Sequence, residues 1–176
     1  KFKIQRNPTG LPEAFVIGEK FIGDSDVCLI LGDNIFHSDT FVNKYLIPSF
    51  DKKTPTVFGY HVSDPERYGV VEFDEKLNVL SIEEKPASPR SNYAITGLYV
   101  FDKNAPLIAK DLIPSARGET EIVDMLNFYL NNDSLKVELL GRGVSWLDTG
   151  THRSLHEASS YVEVLENRQG LKIACL

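Results

Sequence analysis

The spacing of apolar and polar positions changes period along the chain, and each change marks a predicted element. Leu11, Ala14, Phe15 and Ile22 recur at helical spacing, which predicts a helix over 11–21. Residues 27–31 are continuously apolar, as expected of a strand covered on both faces. A short helix over 41–47 and a strand over 56–62 (TVFGYHV) follow. The pattern then switches to alternation: GVVEFD (69–74) and VLSIEE (79–84) read as a hairpin joined by a polar turn at 75–78. YAITGLYVF (93–101) is a third strand, rich in aromatic and β-branched residues. Helical spacing returns in Ile122, Met125, Leu126, Tyr129 and Leu130, and again in Leu155, Ala158, Val162 and Leu165. Between them, VELLGRGVSWLDTG predicts a strand pair ending at Asp148, while residues 2–5 read as the end of a strand. Without repeats, low-complexity runs or long linkers, this order predicts an α/β fold with a partly parallel sheet and an antiparallel insertion.

Composition narrows the partners rather than the fold. The chain has 176 residues, 42% hydrophobic and 25% charged, enough for one domain with a real core. A net charge of −6 argues against a general nucleic-acid binder, since phosphate backbones recruit basic surfaces. It leaves room for a small anionic ligand. No stretch reaches the roughly 18 apolar residues of a membrane span, and KFKIQRNPTG lacks the apolar core of a signal peptide. Cys28 and Cys175 lie far apart and form neither a disulfide framework nor a zinc pattern. The expectation is a soluble domain of a reducing cytoplasm.

Candidate chemistry begins at LILGDNIF (29–36), where an apolar run stops at Gly32 and Asp33 and Asn34 follow at once. The carboxyl ends of strands in open α/β sheets are where ligands bind. Asp148, in WLDTG, has the same setting. Two such carboxylates could converge on one Mg²⁺, which takes a few carboxylates plus substrate phosphates; they could equally be unrelated turn and N-cap aspartates. In EEKP (83–86), Lys85 could meet a phosphate and Glu84 sugar hydroxyls, or both could be a charged strand end. Arg117, in ARGETE, could grip a phosphate bidentately or sit in a solvated loop. RYG (67–69) offers an aromatic ring and an approachable backbone, or only the start of a strand. His152 and His156 are four apart but lack an evident third ligand, and GRGVSW lacks the third glycine of a dinucleotide fingerprint.

The stretches LGDN, DPERYGVVEFD, EEKP, SNYAITGLY, ARGETEI, WLDTGTH and ENRQGLK occur in the order and spacing of one enzyme family. Over nearly its whole length the chain resembles the glucose-1-phosphate thymidylyltransferases, a family of sugar nucleotidyltransferases that open dTDP-rhamnose synthesis. The resemblance implies a Rossmann-like mixed sheet flanked by helices with an antiparallel sugar-binding portion. It divides the chain into the remainder of a nucleotide-binding half (1–62) and a sugar-phosphate-binding half (63–176). It implies transfer of dTMP from dTTP to glucose 1-phosphate, giving dTDP-glucose and pyrophosphate. By the same resemblance Gln5 and Gly10 read the thymine, and Asp33 and Asp148 hold Mg²⁺. Tyr68 and Gly69 line the glucose, Glu84 bonds its hydroxyls, Tyr99 closes the pocket, and Lys85 and Arg117 hold the sugar phosphate. A cytoplasmic homo-oligomer, tetrameric in relatives, is implied too, with neither nucleic acid nor membrane as partner.

The Gly-rich triphosphate loop that opens the family's nucleotide half does not occur here, so the chain reads as an internal part of a longer enzyme. GLPEA (10–14) stands where GLAQA is usual, near the base-reading loop, and FHSD (36–39) replaces a YGHD-like stretch. The first departure leaves a uridylyltransferase as the nearest rival. A non-catalytic sugar-phosphate-binding domain on the same fold is the rival from another class.

Overall fold

The computed structural model describes residues 2–115 and 118–173. The longest strand, β6 (Tyr93–Phe101), is the axis of the fold, with every residue after Tyr93 buried. Nine nearly continuous aromatic, β-branched or small residues can be buried on both faces, which suits a central strand. β3 (Thr56–His61) runs antiparallel along one edge of β6. The other edge is shared. β4 (Gly69–Phe73) meets its beginning at Val70 and Ala94, and β1 (Val27–Ile30) pairs with 98–101. β5 (Val79–Glu84) extends the sheet from β4, and β7 (Lys136–Leu139) adds to β3 in parallel. Among the described residues the six strands run β5-β4-β6-β3-β7 with β1 beside β6, a mixed sheet that is mostly antiparallel.

Both faces of this sheet are covered. On one lie α1 (Glu13–Ile22), α3 (Ala105–Asp111) and α4 (Ile122–Asn131), which bring Phe15, Ile108, Met125, Leu126 and Tyr129 against Val57, Val71, Tyr99 and Phe101. On the other, Phe58, Leu98 and Val100 pack against Tyr45, Leu140 and Val144. A separate two-stranded ribbon joins β2 (Asn34–His37) to β8 (Ser145–Asp148), antiparallel. α5 (His152–Gln169) follows, opened by a reciprocal cap between Thr151 and Ser154 and closed at Gly170 in the left-handed conformation.

Four expectations change. Residues 2–5 form no strand, and Phe2 and Ile4 are exposed. The helix expected over 41–47 starts as a π-helical turn, Val42–Leu46, and only then becomes α2 (Ile47–Asp51). Pro48 has no N–H to return to the preceding turn, and the Ile47 N–H closes on the Val42 carbonyl one residue further back than in an α-helix. β1 is not covered on both faces, since Ile30 is 57% exposed. Finally, β7 and β8 do not pair with each other; the turn between them separates a strand of the main sheet from one of the ribbon.

Candidate functional site

The ribbon brings the two aspartates together. Its register sets Asn34 opposite Asp148, so Asp33 and Asp148 emerge at the same end. The Asp33 carbonyl accepts the Thr149 N–H at 2.8 Å and its hydroxyl at 2.9 Å, locking the two turns. A β-carbon placed on Gly150 would lie 3.1 Å from Asp148 Oδ1 and 3.5 Å from Asp33 Oδ2, so both carboxylates border one small space. Asp148 Oδ1 accepts the Gly150 N–H at 3.0 Å, and Asp33 Oδ1 accepts Asn34 Nδ2 at 2.9 Å. Among the described residues no group of three His, Cys, Asp or Glu gathers for a metal. The donor set is therefore a pair of carboxylates, which fits a hard divalent cation that completes its shell with ligand oxygens.

Asn34 is the clamp of this corner. Its Oδ1 accepts the Trp146 indole N–H at 2.6 Å and the Gly97 N–H at 3.0 Å, tying β2, β8 and β6. Gly97 has to be glycine, because a β-carbon there would stand 2.6 Å from the Asn34 side chain. Sequence reasoning gave neither Asn34 nor Trp146 a role. The available signal was period two: Trp146 precedes Asp148 by two positions on one strand and so shares its face.

The β4–β5 hairpin supplies the opposite wall. Gly69 pairs with Glu84, whose Oε2 is 3.3 Å from where a Gly69 β-carbon would be. Lys85 follows β5 with φ at +44°, a costly backbone for a lysine. Its N–H donates to the Tyr68 carbonyl at 3.0 Å, and its Nζ lies 3.5 Å from Glu84 Oε1. The Tyr68 ring sits 5.2 Å from the Trp146 ring, with the Arg67 guanidinium on it at 5.4 Å and held by Asp64 at 2.8 Å. Burial raises the Tyr68 hydroxyl pKa, opposed by Arg67 and reinforced by Asp64 and Asp148. Tyr99 is buried, and burial followed by the Glu84 and Asp33 carboxylates pushes its phenol far up. Tyr99 thus sits within the field of both walls, and remains a neutral hydroxyl.

Gln5 and Gly10 belong to a neighbouring cluster. Gly10, with φ at +116°, bridges to Thr120, whose N–H donates to the Thr9 carbonyl at 2.8 Å; a β-carbon on Gly10 would collide with the Thr120 carbonyl. Gln5 Nε2 donates to the Gly10 carbonyl at 3.1 Å and to Glu13 Oε2 at 2.7 Å. Arg117 lies outside the described residues; beside it, Gly118 donates to the Ser115 carbonyl at 2.8 Å. His152 opens α5, and GRGVSW forms the turn into β8, where Gly141 and Arg142 line a cavity with Tyr60, His61 and Tyr93. Burial pushes the Cys28 thiol up to about 11; Cys175 lies outside the described residues.

Two converging strand-end carboxylates beside a hairpin carrying Glu84 and Lys85 are what a phosphoryl-group transferase would need. The Nucleotidyl transferase family profile matches residues 1–164, and the chain belongs to that family. Within it, the chain is 56% identical over its full length to the glucose-1-phosphate thymidylyltransferase of Neisseria gonorrhoeae. It is 53% identical over 99% of its length to that of Neisseria meningitidis serogroup A. It spans 61% of the length of each of these relatives. A Bacillus anthracis structure described as a glucose-1-phosphate thymidylyltransferase in complex with sucrose superposes with a TM-score of 0.79 at 36% identity, covering 92% of this chain and 64% of that one. A UDP-glucose pyrophosphorylase complexed with UDP-glucose shares the fold at a TM-score of 0.80 and 24% identity, over 92% of this chain and 65% of that one. The mixed sheet flanked by helices is thus the nucleotidyltransferase fold expected from the sequence. No helix among the described residues is long and apolar enough to cross a membrane.

Proposed function

We propose that the protein containing this chain transfers dTMP from dTTP to glucose 1-phosphate, giving dTDP-glucose and pyrophosphate. The observation that carries this reading is the shared space that Asp33 and Asp148 border at Gly150, with Tyr99 in the field of both Asp33 and Glu84. The names of the relatives choose the nucleotide and the sugar.

In the reaction a phosphate oxygen of glucose 1-phosphate attacks the α-phosphorus of dTTP in line, and the bond to the β-phosphate breaks. No enzyme-bound covalent intermediate is needed, so the residues position and neutralise two mutually repelling anions. Asp33 and Asp148 would hold Mg²⁺, which when bound supplies charge neutralisation for the triphosphate. Lys85 and Arg117 hold the sugar phosphate. Glu84 accepts from glucose hydroxyls, Tyr68 and Gly69 line the ring, and Tyr99 closes the pocket as a neutral hydroxyl. Gln5 and Gly10 meet the base, which places the nucleotide against residues 1–62 and the sugar phosphate against 63–176. A cytoplasmic homo-oligomer is part of the same reading.

Pyrophosphate release by the full-length protein, with dTTP or UTP as donor and glucose 1-phosphate as acceptor, tests this. Mg²⁺-dependent turnover with dTTP ahead of UTP is expected. Turnover with UTP alone would make it a uridylyltransferase, and sugar-phosphate binding without turnover on either would make it a binding domain.

A further inference from the structure

The side chain of Asn34 lies between the carboxylate corner and the central sheet, and its two ends face different partners. Its Oδ1 accepts the Trp146 indole N–H at 2.6 Å and the Gly97 N–H at 3.0 Å. Both of those groups can only donate, so the carbonyl end of the amide has to face them. The nitrogen is thereby turned the other way, and Nδ2 donates to Asp33 Oδ1 at 2.9 Å. A β-carbon on Gly97 would stand 2.6 Å from Cγ, Nδ2 and Oδ1 of Asn34 alike, so the amide rests against bare backbone of β6.

The consequence falls on Asp33, which is exposed. A carboxylate free in solvent can turn either oxygen toward a ligand. Here Oδ1 is engaged by Asn34, and Oδ2 is the oxygen that borders the space at Gly150, 3.5 Å from where a β-carbon would be. Asp148 Oδ1 borders that space at 3.1 Å. The ribbon register sets the Asn34 backbone opposite Asp148, so one residue is tied to both carboxylates. The chemistry of the amide matters as much as its shape. A carboxylate in its place could accept from Gly97 and Trp146, but it would offer Asp33 a like charge and no donor.

Resting on the proposed Mg²⁺ site, we infer that Asn34 is a positioning residue for the cation: it holds Asp33 Oδ1 and so commits Oδ2 to the space shared with Asp148. It acts through Asp33, as groups around a metal act through the ligand they hydrogen-bond. Its own orientation is set by buried Trp146 and by β6, which puts the rigidity of the central sheet behind an exposed aspartate.

The test is binding of Mn²⁺, a paramagnetic stand-in for Mg²⁺, to the full-length protein with dTTP present and no acceptor sugar. Bound ion is read by electron paramagnetic resonance in the unaltered protein and in Asn34→Ala, Gly97→Ala and Trp146→Phe. Asn34→Ala removes the donor to Asp33. Gly97→Ala keeps the donor but pushes the amide off its seat, and it answers the question should Asn34→Ala fail to fold. Each should weaken Mn²⁺ binding by roughly tenfold or more, the usual scale for losing a partner of a metal ligand. Trp146→Phe takes one bond from the same amide yet leaves Gly97 to orient it. Its thermal midpoint should fall while Mn²⁺ affinity stays within about twofold. Full affinity in Asn34→Ala or Gly97→Ala, or an equal loss in Trp146→Phe, would overturn the inference and leave Asn34 a clamp of the fold. An Asp148→Asn protein that binds Mn²⁺ as tightly as the unaltered one would overturn the metal reading itself, whatever the Asn34 variants do.

Discussion

Asp33 and Asp148 differ in how the fold holds them, and the difference gives a clean test. Asp33 is fixed through both its carboxylate and its carbonyl, by Asn34 and Thr149, whereas the Asp148 carboxylate accepts only the Gly150 N–H among the described residues. Asp148→Asn keeps the shape, and its amide oxygen still accepts that N–H, so the fold should lose little, within about 0.5–1 kcal/mol. Its charge is what the proposed Mg²⁺ site needs. Turnover should therefore fall by two or more orders of magnitude, roughly the scale of removing one electrostatic stabiliser, while the urea midpoint barely moves. Mg²⁺-dependent turnover equal to that of the unaltered protein would remove Asp148 from the metal site. Lys85 illustrates the opposite economy. Its left-handed backbone stores strain beside Glu84 and next to Tyr68, where the proposed function would use a cation.

The ribbon and the helix that follows it act as a unit. β8 ends at Asp148, and Thr151 caps α5 only three residues later, so the N-terminus of α5 and the carboxylate share one short connection. The Thr151 hydroxyl accepts the Ser154 N–H at 3.1 Å, and Ser154 Oγ accepts the Thr151 N–H at 3.1 Å. Thr151→Ala removes one half of this box and should cost about 1 kcal/mol, read as a lower urea midpoint with an unchanged m-value. A bond further along ties the same elements: Tyr161 of α5 donates to Ser145 Oγ at 2.7 Å and meets His37 Nδ1 at 3.1 Å, so α5 is latched to both ribbon strands. A stability change confined to the first turn would leave that latch intact, and activity in Thr151→Ala should fall less than in Asp148→Asn.

Across the molecule, the end of the β4–β5 hairpin belongs to the main sheet, the carboxylate corner to the separate ribbon and the Gln5–Gly10 segment to the loop before α1, so a ligand touching all three would bind only the folded chain. With Mg²⁺ and dTDP-glucose at 100 times its dissociation constant, such a ligand adds about 2.7 kcal/mol. The thermal midpoint of the protein should rise accordingly in a calorimetric scan. A cooperative transition that stays in place would show a folded domain without a formed product site.

The chain alone announced the motifs and most of the elements, though neither the strand Asn34–His37 nor the helix Ala105–Asp111. YAITGLYVF became β6 over the same nine residues, a nearly unbroken run of β-formers that can be buried on both faces. The GVVEFD–VLSIEE hairpin formed around its polar turn, where Asp74 accepts from both the Lys76 and Asn78 N–H groups. LGDN and WLDTG already located two strand-end carboxylates. The partners were decided only by the tertiary structure. Segments 136–139 and 145–148, adjacent in the chain and both strand-like, go to different sheets, since pairing answers to which apolar faces can be buried together and not to proximity in sequence. The same non-local choice seats Asn34 against Gly97 and Trp146 and sets Glu13 against Gln5, contacts that no period announces. Residue periodicity encodes what each segment can bury; only the packed sheet decides which carboxylates, amides and rings end up facing one another.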